Sequence, residues 1–180
     1  ADEIARDMIA LGSRLVVATD RGLVQLRGMA LTEIRGEDGL PYEDALCLRE
    51  GFGGDLWIGT TRGAVRNTGK ESDYFNADRW LPNEKVNDIA VDNNTAYIAT
   101  DGGLGIIRYE PFTLAKKAGY YERWLDEWGM KRLGFTHKLE WNSEGKEWVR
   151  EVSDNDVGWS THYLTAMCFK YAVTKDPEAR

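Results

Sequence analysis

The chain reads as mainly β with α. The expected fold is a partial β-propeller of three blades, each four-stranded and antiparallel, over residues 1–108. A helical, aromatic-rich segment with a β-hairpin at 137–152 occupies 109–180. Three observations predict this. A gapless repeat runs through the first half: "RLVVATDRGLV" (14–24), "DLWIGTTRGAV" (55–65) and "TAYIATDGGLG" (95–105). Its period is about 40 residues, within the range of propeller blades. The composition then changes near Pro111, beyond which lie Trp124, Trp128, Trp141, Trp148 and Trp159.

The repeat columns have physical reasons. "LVVAT", "LWIGT" and "AYIAT" are rich in β-branched and aromatic residues and suit strands buried on both faces. Ala18, Gly59 and Ala99 leave room for a neighbouring sheet. Thr19, Thr60 and Thr100 precede turns closed by Gly22, Gly63 and Gly103, where glycine takes a positive φ at little cost. A second strand comes after each turn, so each unit contains a hairpin. Upstream, "RDMIAL" (6–11), "EDALCL" (43–48) and "NDIAVD" (87–92) read as the innermost strands, each opening on an acidic residue. "MALTEIR" (29–35) and "ESDYFNA" (71–77) supply outer strands for the first two blades; the third has none. Propellers close with about 4–8 blades. Three leave open sheet edges, which template association.

In the second half, "FTLAKKAGYYERWLDEWGMKRLG" predicts a helix from the N-cap Thr113 to a stop at Gly134, with Leu114, Ala118, Tyr121, Leu125 and Trp128 on one face. "HKLEWNSEGKEWVREV" predicts a hairpin around "NSEG". A second helix is expected with Ser160 as N-cap and Leu164, Met167, Cys168 and Tyr171 as a buried stripe. "DPEAR" reads as a fresh helix start on Asp176 and Pro177. A start in the last five residues implies truncation or a partner that takes over. A first residue of Ala rather than Met implies a processed or excised chain.

Bulk properties narrow the function. Of 180 residues, 42% are apolar and 29% charged, with a net charge of −7. That balance opposes nucleic acid and anionic membrane surfaces, and it allows a neutral sugar or a protein partner. No apolar run approaches the roughly 20 residues of a membrane span, and no signal peptide opens the chain. Cys47 and Cys168 sit in apolar settings and read as buried free thiols; one disulfide between them stays open. No phosphate loop, dinucleotide fingerprint or zinc-ligand spacing occurs, so no cofactor is expected.

The repeat resembles that of two-component-regulator propellers, whose signature is an L-W-I-G-T-x-x-G-L core. "LWIGTTRGAV" (56–65) carries it, and residues 74–107 resemble one inter-blade passage. The resemblance covers residues 5–108. It implies extracellular or periplasmic placement, in sensors and secreted multidomain proteins often linked to polysaccharide use, and it brings no catalytic residues. Residues 153–180, with Asp154, Asn155, Asp156, Gly158 and Trp159 as a "DND-G-W" element, resemble the opening of an α/α-toroid domain that lies after such propellers. Toroids of this kind serve polysaccharide lyases and glycoside hydrolases.

The candidate site residues cluster late in the chain. Asp154 and Asp156 are a carboxylate pair suited to general acid/base work on a glycosidic bond, and His162 with Tyr163 suits proton abstraction. Asp154, Asn155 and Asp156 also offer oxygens for Ca²⁺, although Thr165 stands where an EF-hand needs Glu. The plainer reading is turn and capping chemistry before a helix. Trp141, Trp148, Trp159 and Asn155 are ligand-binding candidates, since exposed indoles stack on sugar rings; for Trp141 and Trp148 the competing reading is packing on the Trp124/Trp128 face. His137, at a strand start, reads as a surface or hairpin residue rather than a base. Asp20, Asp101, Arg21 and Arg62 read as solvated blade-turn charges. No constellation is complete enough for catalysis. The expectation is a non-catalytic propeller module for protein–protein or glycan recognition in a secreted or cell-surface protein. Its partners are other copies of itself or the rest of a longer chain, through open edges, and an oligosaccharide; nucleic acid and membrane insertion are not expected. The alternative is a fragment of a carbohydrate-active enzyme using the Asp/His/Tyr cluster.

Overall fold

A computed structural model describes residues 3–128, 130–132, 134–151 and 153–180. The chain divides into two compact units, one ending at Glu110 and the other running from Pro111 to Arg180.

The first unit holds three antiparallel meanders. Blade 1 orders β1 (Ala5–Leu11), β2 (Arg14–Thr19), β3 (Gly22–Arg27) and β4 (Ala30–Ile34). Blade 2 orders β5 (Ala45–Glu50), β6 (Leu56–Thr60), β7 (Gly63–Asn67) and β8 (Ser72–Phe75). Blade 3 has β9 (Val86–Asp92), β10 (Thr95–Thr100) and β11 (Gly103–Arg108), and β11 is an open edge.

The threonine and glycine columns make one turn three times. Thr19, Thr60 and Thr100 each donate Oγ1–H to the carbonyl of the glycine three residues on, at 3.0, 2.7 and 2.8 Å. The same oxygens accept the backbone N–H of Arg21, Arg62 and Gly102 at 3.1, 3.0 and 3.3 Å. A hydroxyl both donates and accepts, so one buried side chain satisfies two turn groups. The closing glycines have φ of 114°, 91° and 129°.

Two cores hold the blades together. Leu11, Val16, Ala18 and Leu23 of blade 1 meet Leu48, Leu56, Ile58 and Val65 of blade 2. Trp57, Ala64 and Phe75 of blade 2 meet Ile89, Ala96, Ile98 and Ile107 of blade 3. Each fully buried Ile or Val here contributes about 1.5–3 kcal/mol over an exposed one. Gly59 is where the second pair comes closest. A Cβ there would lie 2.4 Å from Cys47 Sγ and 2.7 Å from Val86 Cγ1.

The same columns are uncovered at the two ends. Val16 and Trp57 are buried against the next blade, whereas their counterpart Tyr97 is half-buried, beside Leu104 (57% exposed) and Ile106 (54%). Leu48, Ile58 and Val65 are buried against the preceding blade. Their counterparts in blade 1 are Met8 (62% exposed) and the half-buried Val17 and Val24.

The inner strands correct one expected column. Asp7 pairs across from Ala18 and Asp88 from Ala99, but the residue across from Gly59 is Cys47. Asp44 lies three residues before it. All three inner strands bulge at this same step, so the pairing itself puts Cys47 in the column and leaves Asp44 outside it. Asp7 and Asp88 each accept the N–H of the next residue at 2.8 Å. Asp7 also takes Leu48 N–H at 2.8 Å, and Arg49 donates to Asp7 at 3.0 Å and to Asp88 at 2.6 Å. One guanidinium thus spans all three blades.

A second cluster closes blade 2 against the end of blade 3. Arg66 pairs with the buried Asp55, and its guanidinium lies 4.6 Å and 4.1 Å from the ring centres of Phe52 and Tyr109. Tyr109 donates to Asp73 at 2.7 Å. Burial, then this bond, pushes the Tyr109 phenol up to about 12.

The second unit is built from short pieces: α1 (Leu114–Glu127), β12 (Lys131–Arg132), β13 (Phe135–Thr136), β14 (Lys138–Asn142), β15 (Glu147–Glu151) and α2 (Asp156–Thr174). Thr113 caps α1 by accepting Lys116 N–H at 3.2 Å. The helix ends at Glu127, about two turns short of the expected Gly134. Gly134, at φ 82°, instead turns the chain between β12 and β13. The buried stripe expected on α2 is not formed, and the apolar face expected on α1 is open as well. Leu114, Tyr121 and Trp128 of the expected α1 stripe are exposed, as are Leu164 and Cys168 of α2. Among the described residues of this unit only Thr136, Asp156 and Ala179 are buried.

Gly63→Ala tests the turn. Its positive φ alone costs a side chain about 1–3 kcal/mol, and the added Cβ would lie 2.3 Å from the Phe75 carbonyl oxygen. Gly28→Ala, at φ 61° with open space around it, is the control. Urea unfolding should show the larger loss for Gly63→Ala.

Candidate functional site

The second unit carries the candidate chemistry. Its first feature is a row of rings. β14 and β15 place Trp141 directly opposite Trp148, so the two indoles share one face with centres 5.3 Å apart. Trp148 meets Trp128 at 6.1 Å, Trp128 meets Trp124 at 5.3 Å, and Trp124 meets Tyr120 at 5.7 Å. Cross-strand and i, i+4 neighbours are the pairs that touch in strands and helices. The row is packed within itself and still open to solvent: Trp141, Trp128 and Trp148 are 49%, 49% and 55% exposed.

The second feature is a carboxylate–imidazole pair. Asp156 opens α2, and its Oδ2 lies 3.0 Å from His137 Nδ1 and accepts Ser153 N–H at 3.2 Å. The Ser153 bond is the reciprocal half of a capping box, so Ser153 and Asp156 organise the start of the helix. Asn155 is the N-cap residue but makes no side-chain capping bond. Ser160, expected to cap, lies inside α2. Its Oγ accepts Thr136 N–H at 3.0 Å, which holds β13 against the helix. His137 N–H donates to the Met130 carbonyl at 2.8 Å. The other oxygen of Asp156, Oδ1, is buried with no hydrogen-bond partner. His137 is therefore a partly buried partner of Asp156 at the start of the hairpin.

Beside this pair lies a cavity of about 540 Å³, lined by Leu125, Met130, His137, Asn155, Trp159 and Tyr163 among others. Lys131 donates to the Tyr163 hydroxyl at 3.3 Å and pairs with Asp126 at 2.7 Å, an ion pair that holds its ammonium above the usual lysine range. Lys138 pairs with Glu151 at 2.9 Å.

The expected Asp/His/Tyr cluster does not assemble. Residues six apart on an α-helix are rotated by about 240°, so Asp156 and His162 cannot converge. His162, Asp154 and Asn155 are exposed. Tyr163 returns to the Asp156 side but two turns along. Trp159 is 48% exposed. Among the described residues no group of three or more His, Cys, Asp or Glu could hold a metal ion, and Asp154 is exposed while Asp156 is engaged by His137, so the Ca²⁺ arrangement is not formed by these residues. The capping-box spacing of Ser153 and Asp156 was the signal that could have placed the helix start correctly.

The blade-turn acids have partners within the first unit, and at the two arginines it is the backbone carbonyl that is engaged. Asp20 accepts Ile4 N–H at 2.9 Å, and that bond holds its carboxyl below the usual range. Asp101 is lowered likewise, first by the Asn87 amide at 2.8 Å and then by Lys85. The Arg21 carbonyl accepts from Arg35, and the Arg62 carbonyl accepts from the Tyr74 hydroxyl.

No protein-family profile matches the chain, and no curated protein matches it. Solved structures do. The extracellular domain of the hybrid two-component system BT4673 from B. thetaiotaomicron matches with a TM-score of 0.51 at 17% identity, over 63% of this chain and 16% of its own. That of the hybrid two-component system BT3049 from the same organism matches at 0.50 and 16%, over 87% and 23%. A third, described as the extracellular domain of a one-component system BT4673, matches at 0.48 and 21%, over 60% and 17%. The matched region thus spans 16–23% of those chains. The likeness is one of fold, a propeller-like arrangement of antiparallel sheets. No helix among the described residues is long and apolar enough to cross a membrane.

Both cysteines are free, Cys47 buried and Cys168 exposed. Exposure corrects the expectation of two buried thiols. Burial, and then the nearby Asp88 charge, pushes the Cys47 thiol up to about 11. Iodoacetamide between pH 8 and 9 should label Cys168 and spare Cys47 until the protein is unfolded. Mass spectrometry of the two cysteine peptides reads the result.

Proposed function

We propose that the chain is a recognition module of an extracellular or periplasmic protein. In this reading the second unit binds a neutral oligosaccharide along its indole row, and the blades serve association. The observation that carries it is the half-exposed line Trp141–Trp148–Trp128, whose ring faces suit the apolar faces of sugar rings. The net charge of −7 favours a neutral ligand over an anionic one. The similar structures are extracellular domains of sensor systems, which supports the placement.

Calorimetry with neutral hexasaccharides should show binding. Trp141→Ala or Trp148→Ala should weaken it about tenfold, equivalent to about 1.4 kcal/mol. Unchanged affinity in both variants would remove the indole row from the reading.

A second reading has its own observation. α2 is apolar on several sides at once, with Val157, Leu164, Phe169 and Val173 exposed. A helix apolar all round is one that other elements bury. That suits the α/α-toroid resemblance and a larger carbohydrate-active enzyme. Polysaccharide degradation by this chain, lost on Asp156→Ala or His162→Ala, would replace the recognition reading with this one.

The uncovered faces of blades 1 and 3 are complementary, because each matches a face buried between blades elsewhere in the unit. Copies of the chain, or further blades of a longer chain, fit there. Sedimentation of this chain should show reversible head-to-tail association that Ile106→Lys weakens. A monomer at all concentrations would rule out the association between copies.

A further inference from the structure

We propose that the cavity beside His137 and Asp156 is a subsite for a single neutral sugar residue, distinct from the indole row. His137 would accept a hydroxyl hydrogen bond and Trp159 would supply the apolar face. This rests on the glycan reading above and narrows it to a place and a contact.

Asp156 sets the chemistry of the cavity wall. It is 9% exposed, and its Oδ2 takes His137 Nδ1 and Ser153 N–H. When the imidazole is neutral, a carboxylate that accepts from Nδ1–H selects the tautomer that leaves Nε2 as an acceptor. A ligand must then bring a donor, which a sugar hydroxyl does and a carboxylate or phosphate does not.

The imidazole is also held in place from its own backbone. His137 N–H is bonded to Met130, and the preceding residue is bonded to Ser160 of α2. The cavity beside it, at about 540 Å³, falls in the range of small-molecule sites, about 300–1,000 Å³.

The lining has the mixture such sites use. Leu125, Met130 and Trp159 are apolar, and His137, Ser153 and Asn155 are among its polar groups. Its charges cancel locally, since Lys138 is paired with Glu151, and Lys131, bonded to the lining Tyr163, is paired with Asp126. No free cation is left in this set to favour an anion. A half-exposed Trp159 and an imidazole in one lining suit a ring with one apolar face and a hydroxyl rim.

Asp156 is a positioning residue in this scheme, acting through the imidazole. Its role is separable from a purely structural one because it sets the tautomer, which nitrogen resonance reads directly.

The test is a titration of the ¹⁵N-labelled full chain with cellohexaose and with xylohexaose. Imidazole nitrogens and indole N–H groups are observed together. The expected result is that His137 Nε2 and the Trp159 indole shift with a common saturation curve. His137→Ala should weaken binding about tenfold. Asp156→Asn should weaken it as well and move the His137 tautomer balance away from Nδ1–H. If Asp156→Asn fails to fold, the unmodified chain still answers through the Nε2 shift. Shifts at Trp141 and Trp148 with His137 and Trp159 unmoved would overturn the subsite and leave the indole-row reading standing. No response at any indole or imidazole would overturn both.

Discussion

A propeller blade has two apolar faces, and each needs another blade. The first unit depends on that constraint. Blade 2 is the one blade covered on both sides, and it holds Trp57, Ile58 and Val65 fully buried. The closeness of the contact sets the sequence. Gly59 has no side chain because Cys47 and Val86 occupy the space where a Cβ would go. The short turns and their threonine bonds keep the strands in the register that presents these faces. The uncovered ends are then a matter of arithmetic, since three blades have six faces and two contacts use four.

The propeller half was legible because its signals are local. Strand, turn and glycine recur in one order, and the turn uses only groups within four residues of each other. Even the missing outer strand of blade 3 could be read, because the residues after Arg108 break the strand pattern. The inner strands were less legible. The acids of "RDMIAL", "EDALCL" and "NDIAVD" line up in sequence, yet cross-strand pairing sets Cys47, not Asp44, level with Asp7 and Asp88. Register is decided by pairing across the sheet, which a single strand does not record.

The second unit shows the opposite balance. Thr113, the β14–β15 hairpin and the Asp176 cap were readable as local chemistry. The helix faces were not, because helical spacing says which residues share a face and is silent on whether anything covers it. The site was half visible. Asp156 stood out as one of a run of Asx residues, but its partner is His137, nineteen positions away and across a hairpin. His162, the nearer histidine, is turned away by the pitch of the helix.

Arg49 has a consequence for how the unit assembles. Repeated neighbours of similar sequence can pair out of order, and misassembly of this kind is a hazard of repeat proteins during folding. Arg49 reaches Asp7 on one side and Asp88 on the other, and Cys47 stands where blade 2 would otherwise carry the same acid. A blade shifted by one place along the chain would set acid against acid or leave the guanidinium without both anions. The break in the repeat therefore distinguishes blade 2, which supplies the cation, from the two flanking blades, which supply the acids.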